Sequence, residues 1–319
     1  AEAAAAPSGA TPVPAEPIQR VARDPAPTIG QVSNVDFPAV ERAALSNGIE
    51  IVYARSTTVP VTRVALEFDA GVAADRADRL GAHTLMLSVM QEGTTTRDSK
   101  ALAEAQERLG ANVSVGSSMD RTIASLSAVT TNLQPSLALL SDVVRNPAFA
   151  PAEIERLRAT RLAGLANEKT QPAAIAGRAL PPLIYGEGHP YGRSFGGSGD
   201  EAVIRGLSRD DLAAEHARWI RPDNAQLFVV SDLPLAELKP QLEAAFGDWR
   251  APTTAKGAKA FDAALPQTSA RVVLIDRPQS PQSLIYGGQV LPVSGTDDIL
   301  TLTTANTVLG TDFLSRINA

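Results

Sequence analysis

Residues 61–94, VTRVALEFDAGVAADRADRLGAHTLMLSVMQEGT, carry the pattern that decides the fold. Val61–Phe68 alternates between the two faces of an extended chain, which is typical of a half-buried strand. A mostly apolar segment from about Asp78 to Met90 follows and predicts a helix, closed by Gly93-Thr94. A strand followed by a helix of this kind predicts a sheet that is covered by helices.

Strand and helix patterns continue in groups on both sides of this stretch. Ile49–Ala54 predicts a strand before it, and Asn112–Val115 with Arg121–Val129 predicts a hairpin after it. A further strand is predicted over Gln226–Val230. Apolar spacing, caps and stop signals predict five more helices: Ser99–Leu109, Leu133–Val144, Glu153–Lys169, one that follows the Ser208–Asp211 capping box and ends near Trp219, and Leu235–Phe246. This order predicts an α+β sandwich.

The domain organisation follows from shifts in composition. Residues 1–35 are rich in Ala and Pro and predict a disordered tail, because they contain too few large apolar side chains to bury. Residues 36–250 form the first predicted domain, and 251–270 a linker. The pattern then restarts over 271–319, with strands at Arg271–Asp276 and Ser283–Val290 before an apolar helix that runs to Leu309. The sequence therefore predicts two homologous sheet-plus-helices sandwich domains, the second truncated.

The composition excludes several functional classes. The 319 residues include 29 Lys and Arg against 35 Asp and Glu, a net charge of −6 that argues against a nucleic-acid partner. The absence of Cys excludes disulfides and thiolate zinc sites. No apolar run approaches the roughly 18 residues that a membrane span needs. The initial AEAAAAP resembles an exported bacterial protein after signal-peptide removal, which indicates a periplasmic location.

The three His do not form a metal-binding pattern, because no two of them lie four residues apart on one helix. We expect His83 to be packed in its apolar helix and His216 to be structural. His189 lies in a turn-rich loop, where a hydrogen bond that fixes the loop is expected. Gly192–Gly199, GRSFGGSG, lacks the end of a phosphate-binding loop and predicts a flexible loop. On residues alone, the chain shows no complete catalytic site.

Several segments, taken together in order and spacing over residues 40–250, resemble the insulinase/pitrilysin family of zinc peptidases. The matching segments are Leu45–Ile49, Phe68–Gly71, Gly81–Thr94 (GAHTLMLSVMQEGT), Glu107–Ala111, Asn146–Phe149, Tyr185–Gly192 (YGEGHPYG), Arg221–Asn224 and Phe246–Trp249. The resemblance implies that the restart at Arg271 is the family's second domain, with Leu309-Gly310 and Leu314–Ile317 as its helix end.

The departure from the family concerns the metal. Catalytic members carry His-x-x-Glu-His just before the Gly-Thr, where the Glu activates a zinc-bound water. Counting back from Gly93-Thr94, the five positions are Thr84, Leu85, Met86, Leu87 and Ser88. The ligand positions Thr84 and Ser88 and the base position Leu87 are thus degenerate, and His83 is one position out of register. The third ligand would fall near Ala163–Leu165, where there is no carboxylate. We therefore expect no metal, no cofactor and no catalytic residue in this chain.

The family contains such chains as the non-catalytic partner in heterodimeric peptidases, whose two halves enclose a chamber. The resemblance thus implies a zinc-bearing homologous partner and a peptide substrate. In the family an extended substrate adds a strand to a sheet edge; the matching residues are Ala111, Asn112, Val113, Ser114 and Val115. Partner domains also carry an Arg with a Tyr seven residues later, a stretch that would begin just beyond Ala319. The alternatives are a non-proteolytic scaffold of the same fold and an independent enzyme of another chemistry.

Overall fold

The computed structural model describes residues 30, 37–262, 264–266, 270–291, 293, 295, 298–311 and 314–317. Apart from Gly30, the predicted tail over residues 1–35 lies outside the described residues. No helix among the described residues is long and apolar enough to cross a membrane.

A six-stranded mixed sheet forms the centre of the fold, with strand order β1-β2-β6-β3-β5-β4. β2 and β6 pair in parallel, and the other neighbours pair antiparallel. The predicted hairpin is β4–β5, and β4 lies at one edge of the sheet. The strands are β1 Val40–Ala44, β2 Glu50–Arg55, β3 Val61–Phe68, β4 Ala111–Ser117, β5 Thr122–Val129 and β6 Ala225–Ser231.

Nine helices accompany the sheet within the described residues, and the α+β class is confirmed. The best-predicted helices have the clearest end signals: Asp98 caps the start of α2, and Ser208 with Asp211 forms the capping box of α7. The helices are α1 Ala82–Met90, α2 Ser99–Leu109, α3 Leu133–Arg145, α4 Pro151–Glu168, α5 Pro172–Tyr185, α6 Glu201–Gly206, α7 Arg209–Trp219, α8 Leu235–Phe246 and α9 Ile299–Asn306.

The core lies between one face of the sheet and the helices. Alternate residues of β3, including Val64, Leu66 and Phe68, are buried, and the same alternation continues in β5 and β6. Helices α1, α3, α7 and α8 contribute buried aliphatic and aromatic side chains to this cluster. On the other face, Phe228 and Val230 remain exposed. Helix α1, which carries the degenerate positions, is thus packed on the sheet.

Three elements were not predicted: β1, α5 and α6. β1 has an almost fully exposed pattern and no apolar alternation. Helix α5 contains Pro181 and Pro182, which normally end a helix.

Helix α1 begins at Ala82, later than the predicted start at Asp78. Residues 72–74 form a separate 3₁₀ turn before it. The Asp75 carboxylate then accepts hydrogen bonds from the backbone at the helix start.

The predicted strands at Arg271–Asp276 and Ser283–Val290 are wrong: this part of the described chain contains no strand. A strand requires a neighbouring backbone to pair with, and none of the described strands pairs with these segments. Their apolar side chains are correspondingly exposed, with Val272, Leu274 and Ile285 at 98%, 89% and 95%. The helix predicted after them is present as α9, which continues as a π-helical turn over Thr307–Thr311.

Candidate functional site

The five positions that correspond to the family's zinc motif lie on α1. Their side chains are either buried in the core or hydrogen-bonded to backbone carbonyl groups. Leu85, Met86 and Leu87 are buried in the core. The Thr84 hydroxyl donates to the carbonyl oxygen of Gly197 at 2.7 Å, and the Ser88 hydroxyl donates to the carbonyl oxygen of Thr84 at 3.0 Å. No imidazole or carboxylate is present at these positions, so the donor set does not suit a zinc ion.

The position of the family's third ligand, on α4, also lacks a metal-binding side chain. Leu165 is buried, and Ala163 and Gly164 offer no side-chain ligand. Glu168, one turn later, accepts hydrogen bonds from Arg178 at 3.1 Å and from Ser198 at 2.9 Å. Across the described part of the chain, no group of three or more His, Cys, Asp or Glu side chains is arranged to hold a metal ion. The residues present do not fit the family's zinc.

The glycine-rich loop at 192–199, for which the sequence predicts flexibility, covers the start of α1. Gly197 and Gly199 have φ values of +63° and +83°, which L side chains rarely adopt. A Cβ at Gly197 would lie 2.8 Å from the Thr84 Cγ2 atom, and a Cβ at Gly199 2.6 Å from the Gly81 Cα atom. The glycines therefore permit close packing of backbone on helix, although the same composition is also typical of flexibility.

His83 is fully buried and packed, as the sequence predicts. Its Nε2 atom lies 2.6 Å from the Thr122 Oγ1 atom, and its Nδ1 atom lies 3.3 Å from the Glu215 Oε1 atom. These contacts connect helix α1 to strand β5 and helix α7. His83 is thus held away from the ligand positions by two polar partners in the interior.

Asp75 lies beside His83 and closes the start of α1. Its two carboxylate oxygens accept from the Gly81 N–H at 2.6 Å and from the His83 N–H at 2.8 Å. Burial, opposed by the charge of His83 and by these hydrogen bonds and reinforced by the charge of Glu215, raises the Asp75 pKa to about 6. The Arg193 guanidinium donates to the Asp75 carbonyl oxygen. Asp75 thus holds the start of α1 through hydrogen bonds, and its carboxyl group titrates at about pH 6.

The other two His have structural contacts. His189 makes the loop-fixing hydrogen bond that the sequence predicts: its Nδ1 atom accepts from the Tyr191 N–H at 3.0 Å, and its ring stacks on Tyr185. The His216 Nε2 atom lies 2.8 Å from the carbonyl oxygen of Val144, and burial lowers the pKa of His216. Both imidazoles are thus held by structural contacts.

The predicted peptide-binding residues, Ala111–Val115, lie on the edge strand β4. The side chains of Asn112 and Ser114 are exposed, and that of Val115 is buried. The Val113 N–H donates to the Gln106 side chain and the Val115 N–H to the Gln91 side chain. These residues thus lie at an edge of the sheet, where glutamine side chains of α2 and of the end of α1 occupy the backbone donors of Val113 and Val115.

Two family sequence models match the chain in succession. The model of the insulinase family, Peptidase family M16, matches residues 50–188, and the model of the Peptidase M16 inactive domain matches residues 206–319. The chain belongs to the insulinase family. It is thus a member of a zinc metallopeptidase family, and the family positions on α1 and α4 are those at which it lacks the metal ligands.

Curated relatives of this insulinase-family chain include both peptidases and a respiratory subunit. Cytochrome b-c1 complex subunit 1 of Bos taurus is 26% identical over 201 residues, which is 63% of this chain and 41% of the bovine protein. An uncharacterized zinc protease of Mycobacterium leprae is 22% identical, over 65% of this chain and 46% of that protein. The chain thus spans less than half the length of these curated relatives.

Solved structures share the insulinase-family fold. A peptidase M16 inactive domain from Pseudomonas fluorescens has a TM-score of 0.62 and 26% identity, covering 68% of this chain and 53% of that one. The periplasmic protease PqqL from Escherichia coli has a TM-score of 0.61 at 19% identity, covering 69% of this chain and 25% of PqqL. The second likeness shows the fold alone.

Three residues near the site were missed from the sequence: Gln91, Gln106 and Gly197. The glutamines have no local signal, because their partners lie 24 and 7 residues away on β4. The sequence places Gly197 only within a glycine-rich loop. The one available signal was its place in a run of glycines, which is compatible with tight packing as well as with disorder.

Proposed function

We propose that this chain is a non-catalytic subunit of a heterodimeric zinc metalloendopeptidase that degrades peptides or small unfolded proteins. The observation that supports it is the combination of the family's sheet-and-helix fold with Thr84 and Ser88 at the ligand positions and Leu87 at the base position. A homologous partner with the zinc motif would supply the metal site. This chain would form one wall of the chamber and help to hold the substrate.

The substrate-holding role is assigned to β4. The outward backbone groups of an edge strand can form hydrogen bonds with an extended peptide, and such bonds depend little on the sequence of the peptide. The residues proposed for this contact are Ala111, Asn112, Val113, Ser114 and Val115. The exposed Asn112 and Ser114 side chains face solvent along this strand.

A non-proteolytic scaffold role is the second candidate. The observation that favours it is the 26% identity to a protein named as a subunit of the bovine cytochrome b-c1 complex. The two candidates differ in one property: only the first requires that a partner hydrolyses peptides when this chain is bound to it.

We also propose that the protein works in the periplasm. E. coli PqqL, which shares the fold, is described as a periplasmic protease.

The experiment is to mix the 319-residue chain with a homologue that carries His-x-x-Glu-His, ideally one encoded beside it, and to measure turnover of a quenched fluorescent peptide. The proposed function predicts turnover by the mixture that exceeds the partner alone, and none by this chain alone. A stable complex without added turnover would favour the scaffold. Hydrolysis by this chain alone would contradict both.

A further inference from the structure

The outer side of β4 is closed by two glutamine side chains. β4 pairs with β5 on one side, and its alternate residues Val113 and Val115 direct their N–H groups away from that pair. The Val113 N–H donates to the Gln106 Oε1 atom at 2.7 Å, and the Val115 N–H donates to the Gln91 Oε1 atom at 3.1 Å. The donors that an added strand would use are thus already bonded.

Gln91 satisfies both backbone groups of one residue. While its Oε1 atom accepts from the Val115 N–H, its Nε2 atom donates to the Val115 carbonyl oxygen at 3.0 Å. In an antiparallel sheet, a residue of the neighbouring strand makes the same two bonds to its hydrogen-bonded partner. The Gln91 amide therefore takes the place of the N–H and C=O groups of one residue of an added strand.

Both glutamines are attached to helices and are only half-buried. Gln106 lies on α2, and Gln91 follows the last residue of α1. Each is held at β4 by one or two hydrogen bonds of a flexible side chain, and a side chain of this length has other rotamers available. A peptide that makes the same bonds would therefore compete with these side chains for the backbone groups of β4.

We propose that Gln91 and Gln106 form a latch that closes β4 in the isolated chain, and that a peptide strand adds at Ala111–Val115 only when both amides leave. This inference rests on the proposed function, because it concerns the same strand. The latch also protects β4 from pairing with other chains, because the free backbone groups of an exposed edge strand can otherwise bind a strand of another molecule. It lowers the affinity of the isolated chain for any extended peptide.

The first test measures the latch without any peptide. Gln91→Met and Gln106→Met keep the side-chain length but remove the amide, and Gln241→Met on α8 is the matched control. Hydrogen exchange is followed by NMR at isotope-labelled valine amides, with Val229 in the sheet interior as the reference. Exchange at Val113 should rise about 10-fold or more in Gln106→Met only, and at Val115 in Gln91→Met only.

The second test adds a fluorescein-labelled extended peptide of Ala, Ser and Val and follows its anisotropy. Each displaced bond weakens binding by roughly 2- to 10-fold. The double Gln91→Met/Gln106→Met variant lacks all three bonds and should therefore bind the peptide at least about 10-fold more tightly than the wild type. The bound peptide should restore slow exchange at both valine amides.

Unchanged exchange at Val113 and Val115 in the Met variants would overturn the latch, as would equal peptide affinity of wild type and double variant. These results are independent of turnover with a zinc-bearing partner. Freed amides and tighter peptide binding without any partner-dependent turnover would support the latch and contradict the proposed function. Partner-dependent turnover with unchanged amide exchange would support the proposed function and contradict the latch.

Discussion

The degenerate motif positions on α1 and the edge strand β4 are closed in different ways. Around Thr84–Ser88, buried aliphatic side chains and the loop at 194–199 fill the space, so that opening this region would require unpacking the core. At β4, two glutamine amides cover backbone groups through a few hydrogen bonds. The degenerate metal positions are therefore closed by core packing, whereas the edge proposed to bind peptide is covered only by side-chain hydrogen bonds that a peptide can replace.

The strongest test of this contrast restores the family's glutamate at a buried position. Leu87 is 3% exposed, so the carboxylate of a Leu87→Glu variant would have no solvent and no metal to stabilise it. We expect the free energy of unfolding in urea to fall by about 3–5 kcal/mol. The control Leu87→Met should lose less than about 1.5 kcal/mol. A loss below about 1 kcal/mol in Leu87→Glu would show that this position is open.

The second test uses the pH dependence of stability at Asp75. Its pKa is raised from 3.8 to about 6, so the folded state binds the proton more tightly than the unfolded state does. The contribution of Asp75 to stability is therefore full below pH 3.8 and is lost as the pH rises through about 6. A shift of this size corresponds to roughly 3 kcal/mol.

Asp75→Asn should remove this pH dependence, so the difference in unfolding free energy between wild type and variant should change between about pH 4 and about pH 6. The titratable groups that face Asp75 are His83 and Glu215, and Arg193 contacts its carbonyl oxygen. Asp78→Asn, at an exposed site paired with Arg76, is the matched control. Equal pH profiles for Asp75→Asn and wild type would contradict the assignment.

The third test concerns the loop that covers α1. In Gly197→Ala, the new methyl would lie within 2.8 Å of side-chain atoms of Val72 and Thr84, at a positive φ. We expect a loss of about 2 kcal/mol in chemical denaturation. The neighbour Gly196 has nothing within 4 Å of a built Cβ, so Gly196→Ala should have little effect. Similar losses for both variants would show that the loop does not pack as described.

The smallest effect on stability is expected at the edge strand. Val113→Pro removes an N–H that points away from β5, where a proline is tolerated, and the loss of its bond to Gln106 should lower stability by about 1 kcal/mol. Peptide binding should nevertheless weaken, because the donor is lost to the peptide as well. Val113→Ala keeps the N–H and is the control. Unchanged peptide binding by a folded Val113→Pro variant would remove β4 from the substrate site.

The sequence predicts those parts of the fold whose signals are local. Asp98 and Gly110 mark the two ends of α2, and apolar alternation marks β3, so both elements have the predicted bounds. β1 was missed because its exposed edge pattern carries no alternation. The prediction of strands from Arg271 onward is wrong because alternating apolar residues show only that a segment can form a strand. Whether it does so depends on a neighbouring strand with which it can pair.

In the candidate site, too, the features with local sequence signals are predicted and those that depend on distant contacts are not. Absent ligands can be counted along α1 from the sequence, and a buried His83 follows from its apolar surroundings. The latch could not be predicted, because Gln91 and Gln106 meet β4 only through the packing of α1 and α2. Likewise, the contact of Gly197 with Thr84 joins residues 113 positions apart.

The loss of the metal site is tested by the zinc content of the purified chain. The chain would be equilibrated with zinc, passed through gel filtration to remove weakly bound metal, and measured by inductively coupled plasma mass spectrometry alongside a homologue that carries His-x-x-Glu-His. Because Thr84, Leu87 and Ser88 supply no imidazole or carboxylate, we predict no stoichiometric zinc in this chain and one zinc per chain in the homologue. One tightly held zinc per molecule of this chain would contradict the account.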